Sequence, residues 1–374
     1  MHIHRLDLDR RRDVRRYVRF PFQLYRQSSY WVPPFVGEIR AQLNPEAHPF
    51  YHHGEAAFFL ALEGNETVGR IAVLDNVRYN RYNQTRMAFF YHFDAVDDTA
   101  VSRTLFDAAF DWARKRDLEL IWGPKGFMTA DGQGTLIEGF EHRPAIGIPY
   151  NYPYYGDLIE DAGFEKQLDF ISAYLDLRRP VNERFLRVAE AVKRRSGLRA
   201  VHFRSKSELR SAIHRVAAVY NEAFVEVQGY VPMTDAEAEA VADRIVAIAD
   251  PELITVLMKG DDIAGFALVY PDVSAAIQRS GGRMWPLGWL YLKREFERTT
   301  WLNINGGGIL ERYRGLGGDA LLYAEFFRTL QSHPQYEHAE LVQIQETNFR
   351  MVQELKALEV VPYKTHRLYK RSLT

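Results

Sequence analysis

Gly308-Ile309-Leu310-Glu311-Arg312-Tyr313-Arg314-Gly315-Leu316-Gly317-Gly318-Asp319-Ala320-Leu321-Leu322 is the stretch whose reading decides the fold. It follows a strand-like run, residues 301–305, and opens a helical run, residues 318–330. A glycine-rich turn between a strand and a helix presents backbone N–H groups at a helix N-terminus. The aligned peptide dipoles make that end an anion site. Arg312 and Arg314 add cations beside it, and the arrangement suits a pyrophosphate. Two familiar phosphate loops are excluded. A P-loop needs Lys-Ser or Lys-Thr after its last glycine, and neither follows here. A dinucleotide fingerprint opens a βαβ unit. Here Gly315-Leu316-Gly317 is followed by Asp319 and Ala320, and the chain nearly ends.

The remaining composition is that of an ordinary globular chain. Its 374 residues are 47% hydrophobic and 26% charged, which predicts one or two domains with ample core. No run of roughly 18 apolar residues occurs, so no spanning segment and no membrane partner are expected. The start, Met1-His2-Ile3-His4-Arg5, lacks a signal-peptide core, and a cytoplasmic location is the expectation. The absence of cysteine excludes disulfides, thiolate catalysis and cysteine metal sites. A net charge of −1 argues against a general nucleic-acid-binding protein. His48, His52, His53 and His92 lack helical pairing with a third carboxylate, so no metal site is expected.

The chain reads twice, in architecture rather than in letters. The first half begins with a strand (2–6) and an arginine-rich helix (9–27). A hairpin (57–62 and 67–75), a strand (86–93), a helix (99–116) and a strand (118–122) come next. A short helix (153–162) ending at Gly163 and an alternating strand (166–177) close the half. The second half repeats the order. It reads as a strand (198–204), helices (205–224 and 235–249), a hairpin (253–259 and 263–270), a strand (301–309) and a helix (318–330). A strand (339–346), a helix (348–358) and a last strand (360–370) complete it. Pro180 ends the strand before it and marks the boundary, with residues 182–196 as a connecting helix.

Arg312-Tyr313-Arg314-Gly315-Leu316-Gly317 satisfies [QR]-x-x-G-x-[GA], and in this respect the stretch resembles the coenzyme A loop of the GCN5-related N-acetyltransferases (GNAT). A second register places Ile309, Tyr313-Arg314 and Gly317 at the family's Val, Tyr-Arg and central Gly. Asp319 then falls where a small residue is usual. The resemblance covers nearly the whole chain and is to tandem-GNAT proteins of bacteria. Arg19-Phe20-Pro21, Trp31-Val32-Pro33-Pro34, His48-Pro49-Phe50, Val68-Gly69-Arg70-Ile71 and Tyr150-Asn151-Tyr152-Pro153-Tyr154-Tyr155 carry that likeness. It implies an α/β (α+β) fold of two tandem GNAT-like domains, each a mixed sheet flanked by helices. Residues 1–178 form a degenerate domain, and residues 179–374 form the domain with the acyl-coenzyme A loop.

The first half lacks the loop. Asp94-Ala95-Val96-Asp97-Asp98 offers three carboxylates and no glycine, and Asp98 or Thr99 caps the next helix. The resemblance therefore assigns the coenzyme to Ile309, Leu310, Arg312, Tyr313, Arg314, Gly315, Leu316, Gly317, Gly318 and Asn348. Asn303 and Asn305 share one strand face, and Gln343 and Gln345 share another. In GNAT proteins these strands splay around the pantetheine arm. The amides either bond pantetheine or substrate, or cap exposed sheet edges. Direct transfer to an amine needs a base and an oxyanion donor. Glu346, Asn303 and Tyr363 are the catalytic candidates, with backbone N–H near Ile309 as the donor. Position 355, where many members carry a Tyr acid, is Leu, and Glu359 replaces a usual Gly. Asn305, Gln343, Gln345, Tyr154 and Tyr155 are substrate candidates, the tyrosines serving an acceptor pocket or interdomain packing.

The expected activity is acyl-CoA-dependent N-acyl transfer by the second half. Acetyl-CoA or another acyl-CoA is the donor, and a small-molecule or peptide amine is the acceptor. Two alternatives stay open. The arginines at 10, 11, 12, 15, 16 and 19 favour a transferase using aminoacyl-tRNA. Asp319, Leu355 and Glu359 favour a non-catalytic scaffold.

Overall fold

Strand periodicity fixes the layers first. In the stretch Ala57 to Leu62, side chains alternate between two buried faces. Ala57, Phe59 and Ala61 join one core, and Phe58, Leu60 and Leu62 join another. A strand buried on both faces belongs inside a sheet covered by helices on each side, and the whole molecule is built this way.

The computed structural model describes residues 1–180, 183–225, 227–348, 351 and 359–374. The first half runs β1 (His2–Arg5), α1 (Arg11–Leu24), α2 (Val36–Gln42), β2 (Gly54–Glu63), β3 (Glu66–Asn76) and α3 (Val77–Asn83). It continues through β4 (Met87–Ala95), α4 (Thr99–Arg114), β5 (Leu120–Gly123), β6 (Thr135–Glu138), α5 (Tyr155–Asp161) and β7 (Glu165–Asp176). The second half runs α6 (Glu183–Ser196), β8 (Leu198–His202), α7 (Lys206–Ser211), α8 (Ile213–Ala223), α9 (Asp235–Ile248), β9 (Thr255–Lys259) and β10 (Asp262–Pro271). Then come α10 (Ser274–Ser280), α11 (Gly288–Arg298), β11 (Trp301–Ile309), α12 (Gly318–Gln331), β12 (His338–Gln345) and β13 (Val361–Ser372).

One continuous sheet results, in the order β1-β2-β3-β4-β5-β13-β7-β12-β11-β10-β9-β8, with β6 paired to β13. The two halves repeat in space, but each places its last strand in the other. β7 pairs with β12 of the second half, and β13 pairs with β5 of the first. β7 and β13 then pair with each other, antiparallel, from Val361↔Tyr174 to Lys370↔Glu165. A chain cut at 178/179 therefore separates the halves along the sequence, but the strands that complete their sheets are exchanged.

Two parallel pairs interrupt the antiparallel pattern. β4 meets β5 only over Met87–Phe89, and β11 meets β12 only over Trp301–Ile304. Beyond these points both pairs splay. Each also carries a bulge at the opening: His92 sits at φ +47 in β4, and Gly306 at φ +144 in β11. An extra residue bends the strand and re-aims the residues beyond it.

Several elements were not legible as periodic runs. α3, α10 and α11 are short or irregular in pattern, and β6 lies inside the long stretch between β5 and α5, where no element was expected from the sequence. The helix expected at 205–224 breaks at Ala212 into α7 and α8. Caps agree with the sequence: Asp98 accepts from Ala100 N–H at 2.7 Å, and Thr234 with Glu237 forms a capping box. The helix expected at 348–358 lies largely outside the described residues, as does Leu355.

Strand exchange makes a prediction. Residues 1–178 expressed alone lack β13 and leave the edges of β5 and β7 bare, so they should aggregate. Co-expressed with residues 179–374 they should co-purify as a soluble complex. Soluble, cooperatively melting 1–178 on its own would contradict the exchanged topology.

Candidate functional site

The loop after β11 is shaped by its glycines. Residues Glu311–Tyr313 form one 3-10 turn, Arg314 is extended, and Gly317 caps α12 at φ +81. A side chain at Gly317 would collide with Val192 of α6. Gly318 lets α12 close on Ile309, whose Cδ1 would lie 2.8 Å from an added Cβ. Gly315 differs: its φ is +76 and nothing lies within 4 Å of an added Cβ. The loop thus packs tightly against the body at Gly317 and Gly318 and leaves open space at Gly315. The first-turn N–H groups of α12 point out of the helix end beside it.

The two arginines part company. Arg312 pairs with Glu222 on the exposed outer side. Arg314 lines the cleft and donates from Nε to the Ile309 carbonyl at 3.3 Å. Tyr313 donates its hydroxyl to Asp262 at 3.1 Å, and Leu310 is buried with its N–H on the Ala264 carbonyl. Leu316 is half-buried against the small core that also holds Leu321 and Leu322. Asp319, on the first turn of α12, lines the cleft, as does Asn348, which accepts the Met351 N–H at 3.1 Å.

That cleft, about 1520 Å3, runs between the halves and joins both strand splays. Gly306, Gly307 and Gly308 leave the β11 edge without side chains where it faces the cleft. Three glycines in a strand mark close backbone approach, a signal the sequence carried. Asn305, Gln343 and Gln345 stand on the same walls. Asn305 bonds the Tyr270 hydroxyl, Gln345 donates to the Gln228 carbonyl at 3.1 Å, and Gln343 ties both backbone groups of Gln133 in the stretch after β5. Their amides join the walls of the cleft rather than cap an outer edge.

Four other expectations are corrected. Glu346 is held outside the cleft by Lys166 at 2.9 Å and by the Asp169 N–H at 2.9 Å. Asn303 is buried and accepts the Ile146 N–H at 3.3 Å. Tyr363 donates to Glu340 at 2.7 Å in the sheet interior. Tyr154 packs on Tyr152 and Tyr155 and donates to the Ala95 carbonyl at 2.9 Å. None of the four lines the cleft. Tyr155 does, with its hydroxyl bonded to Tyr25 at 2.7 Å and to the Ala95 N–H at 3.2 Å. The α1 arginines Arg12, Arg15 and Arg19 lie away from it.

Further charged groups inside the cleft were not singled out as site residues by the sequence. Arg244 of α9 bonds Glu38 of α2 and, at 2.9 Å, Asp131 of the stretch after β5. Asp131 also takes the Met128 N–H at 3.0 Å and is 3% exposed in its side chain, whereas Glu38 and Arg244 keep 29% and 32%. Burial raises the Glu38 carboxyl above its ordinary value, Arg244 opposing and Asp131 reinforcing the shift. Burial alone would weaken the Arg244 charge, but Asp131 and Glu38 outweigh it. Lys125 is buried beside them, pushed down to about 8, and donates to the Gly229 carbonyl at 3.1 Å. Burial lowers His48 and, with Arg70 adding to it, lowers His92 further, so both are neutral imidazoles at pH 7. The one signal available was Arg244 seven residues after Glu237 on an otherwise alanine-rich helix.

No protein-family model matches the chain. It is 26% identical over 370 residues to Protein YghO of Escherichia coli (strain K12), covering 96% of this chain and 93% of that protein. It is 25% identical over 369 residues to a bacterial ceramide synthase of Caulobacter vibrioides (strain NA1000 / CB15N), covering 96% and 95%. Its structure matches a tandem GNAT protein from the clavulanic acid biosynthesis pathway with a TM-score of 0.57 at 13% identity, over 100% of this chain and 98% of that one. The fold is that of tandem GNAT proteins.

Lys125 offers a test of the cleft's dielectric. Its folded pKa lies below the unfolded 10.5, so the unfolded chain binds more protons between pH 8 and 10.5. Wild-type stability should rise with pH across that window, relative to Lys125→Met, by about 1–3 kcal/mol. A flat difference in urea midpoints between pH 8 and 10.5 would mean that Lys125 is solvated.

Proposed function

We propose that the protein is an N-acyltransferase that takes an acyl group from acyl-coenzyme A at its second half. The acceptor is the primary amine of a long-chain amino lipid lying in the cleft. The observation that carries this reading is the splay between β11 and β12, whose bare Gly306–Gly308 edge leads from the Gly315 loop into a cleft of about 1520 Å3. That volume exceeds the roughly 300–1,000 Å3 of a typical small-ligand site. It suits a long chain better than an acetyl group alone. The relative described as a bacterial ceramide synthase supports the acceptor class, because a ceramide is the amide of a fatty acid and a long-chain amino alcohol.

The residues present fit a coenzyme. Open space at Gly315, the N-terminus of α12 and the cleft-facing Arg314 suit a pyrophosphate. Gly317 and Gly318 hold the turn against the body, and Leu310 and Leu316 anchor it through their apolar contacts. Arg312 and Tyr313 brace it from outside. Asn305 and Gln345 have amides placed for the pantetheine arm. Bound acyl-coenzyme A supplies a thioester carbonyl activated for attack. Those N–H groups of Gly306–Gly308 that the β10 ladder does not use are the candidate donors to the carbonyl oxygen as charge develops on it.

The acceptor side is assigned to Glu38, Asp131 and Arg244. An amine arrives as an ammonium, and the Glu38 carboxylate, whose side chain keeps 29% exposure towards the cleft, is the group that receives it. Glu38, with its raised pKa, takes one proton and frees the lone pair. The new C–N bond forms as the C–S bond breaks, and the thiolate leaves with a proton. Arg244 keeps Asp131 charged and holds Glu38 in place, a positioning role.

Two measurements test this. Gly317→Glu would confound loop geometry with the Val192 collision, whereas Gly315→Asp places a charge in open space in a conformation Asp tolerates. Calorimetry should show micromolar binding of long-chain acyl-coenzyme A that weakens roughly tenfold or more in Gly315→Asp. No binding to folded wild type sinks the reading. Glu38→Gln should lower kcat by roughly 10²–10⁴ with acyl-coenzyme A affinity unchanged, and its pH–rate profile should lose the acid limb. Retained turnover in Glu38→Gln would move the base elsewhere.

A further inference from the structure

β10 and β11 are adjacent antiparallel strands, and a tight turn would connect them. Residues 272–300 intervene instead, carrying α10 and α11, where the matching link in the first half is residues 77–86. The inner side of this insertion is well packed. Val273, Ile277 and Leu292 are buried with Ile248 and Tyr270. Its base is pinned to the segment after α1: Val36 N–H donates to the Gly282 carbonyl at 2.9 Å, and Gln278 donates to the Trp31 carbonyl at 2.8 Å.

The outer side is the opposite. Met284, Trp285, Leu287 and Trp289 are 47%, 77%, 53% and 49% exposed, within six residues of one another. Trp285 is the most exposed large apolar side chain among the described residues. Isolated exposed apolar groups need no explanation, but a contiguous cluster held outward by a pinned base does. The same segment carries exposed basic side chains, Arg279, Arg283, Lys293, Arg294 and Arg298. Against them stand Glu297 and Glu295, the latter spent on Arg279 at 3.1 Å. Trp289 and Lys293 are one helical turn apart on α11, so the apolar tip grades into a cationic flank. Met284 also lines the cleft, beside Trp31 and Phe35, which puts the patch at the cleft mouth.

We infer that this tip docks the protein on an anionic lipid bilayer, with Trp285, Leu287 and Trp289 entering the interface and the basic flank meeting the headgroups. Amphipathic tryptophans favour the interfacial layer, and cationic side chains beside them add affinity for anionic lipid. The sequence expectation of no membrane partner rested on spanning segments alone. No helix among the described residues is long and apolar enough to cross a membrane, and a surface anchor needs none. The cleft then opens towards the bilayer. The docking rests on the exposed tip. Its purpose, delivery of a membrane-resident amine, rests on the acyltransferase reading.

The test is flotation of the full-length protein with vesicles of phosphatidylcholine, with and without phosphatidylglycerol. Wild type should float with the anionic vesicles, show a blue shift of tryptophan emission and release at high salt. Trp285→Ser with Trp289→Ser should cut binding about tenfold or more, with an unchanged melting temperature and unchanged turnover of a water-soluble amine. Arg283→Glu with Lys293→Glu should abolish the preference for anionic vesicles. Wild type that stays with the buffer, or a double serine variant that floats equally, overturns the inference. So does light scattering that shows a dimer abolished by the serine variant, which would make the patch a contact between copies. Turnover without vesicle binding would overturn docking and leave the acyltransferase reading standing. Vesicle binding without acyl-coenzyme A binding would do the reverse.

Discussion

The antiparallel pairing of β13 with β7 at the centre of the sheet is the constraint on which the rest of the molecule depends. It joins two half-sheets into one and, by exchange, makes neither half complete without the other. Polar groups tie β13 to β7 and, across β7, to Glu340 of β12. Lys364 and Glu340 are buried at 0% and 4% side-chain exposure and 2.8 Å apart, with Lys364 also donating to the Arg143 carbonyl at 3.0 Å. Arg367 forks onto Asp169 at 2.9 and 3.1 Å. Removing one partner of a buried pair strands the other charge at a cost of about 3–5 kcal/mol. A slip by one residue would turn every such side chain to the opposite face.

Exchange has a geometric consequence. Both splayed pairs, β4/β5 and β11/β12, open into the same cleft, so one cavity has two unlike ends. At the first end the bulge residue is His92, packed on Tyr91, Tyr17 and Phe127, and the helix beyond is capped by Asp98. At the second the bulge is Gly306 and the helix beyond is capped by a glycine. The same backbone bend is filled with rings in one half and left bare in the other.

Buried charge collects between the ends. Glu38, Asp131 and Arg244 arrive from three separate segments and share one desolvated place. Such groups are costly unless mutually bonded. Their arrangement holds a carboxyl of raised pKa facing a cavity, the combination that marks functional sites. The insertion of α10 and α11 closes one side of that cavity and carries its apolar tip to the mouth.

The sequence by itself determined what is local. Strand alternation, the caps at Asp98 and Thr234, the glycines of the 315–318 turn and the twofold order of elements all act over a few residues, and each is present as read. Strand period put Asn303 beside Asn305 on one face, but the bulges near Gly306 and at Gln343 interrupt that alternation, and of the two asparagines only Asn305 reaches the cleft wall. Tertiary structure decided the rest. Which half each terminal strand completes depends on pairing across more than 160 residues, and no local pattern encodes it. Glu346 and Tyr363 looked catalytic as residue types but spend their polar atoms on Lys166 and Glu340. Glu38, Asp131 and Arg244 looked ordinary and come together, from three separate segments, only in the folded chain. Desolvation belongs to the assembled cleft, and for that reason this charged cluster was the part the chain alone did not disclose.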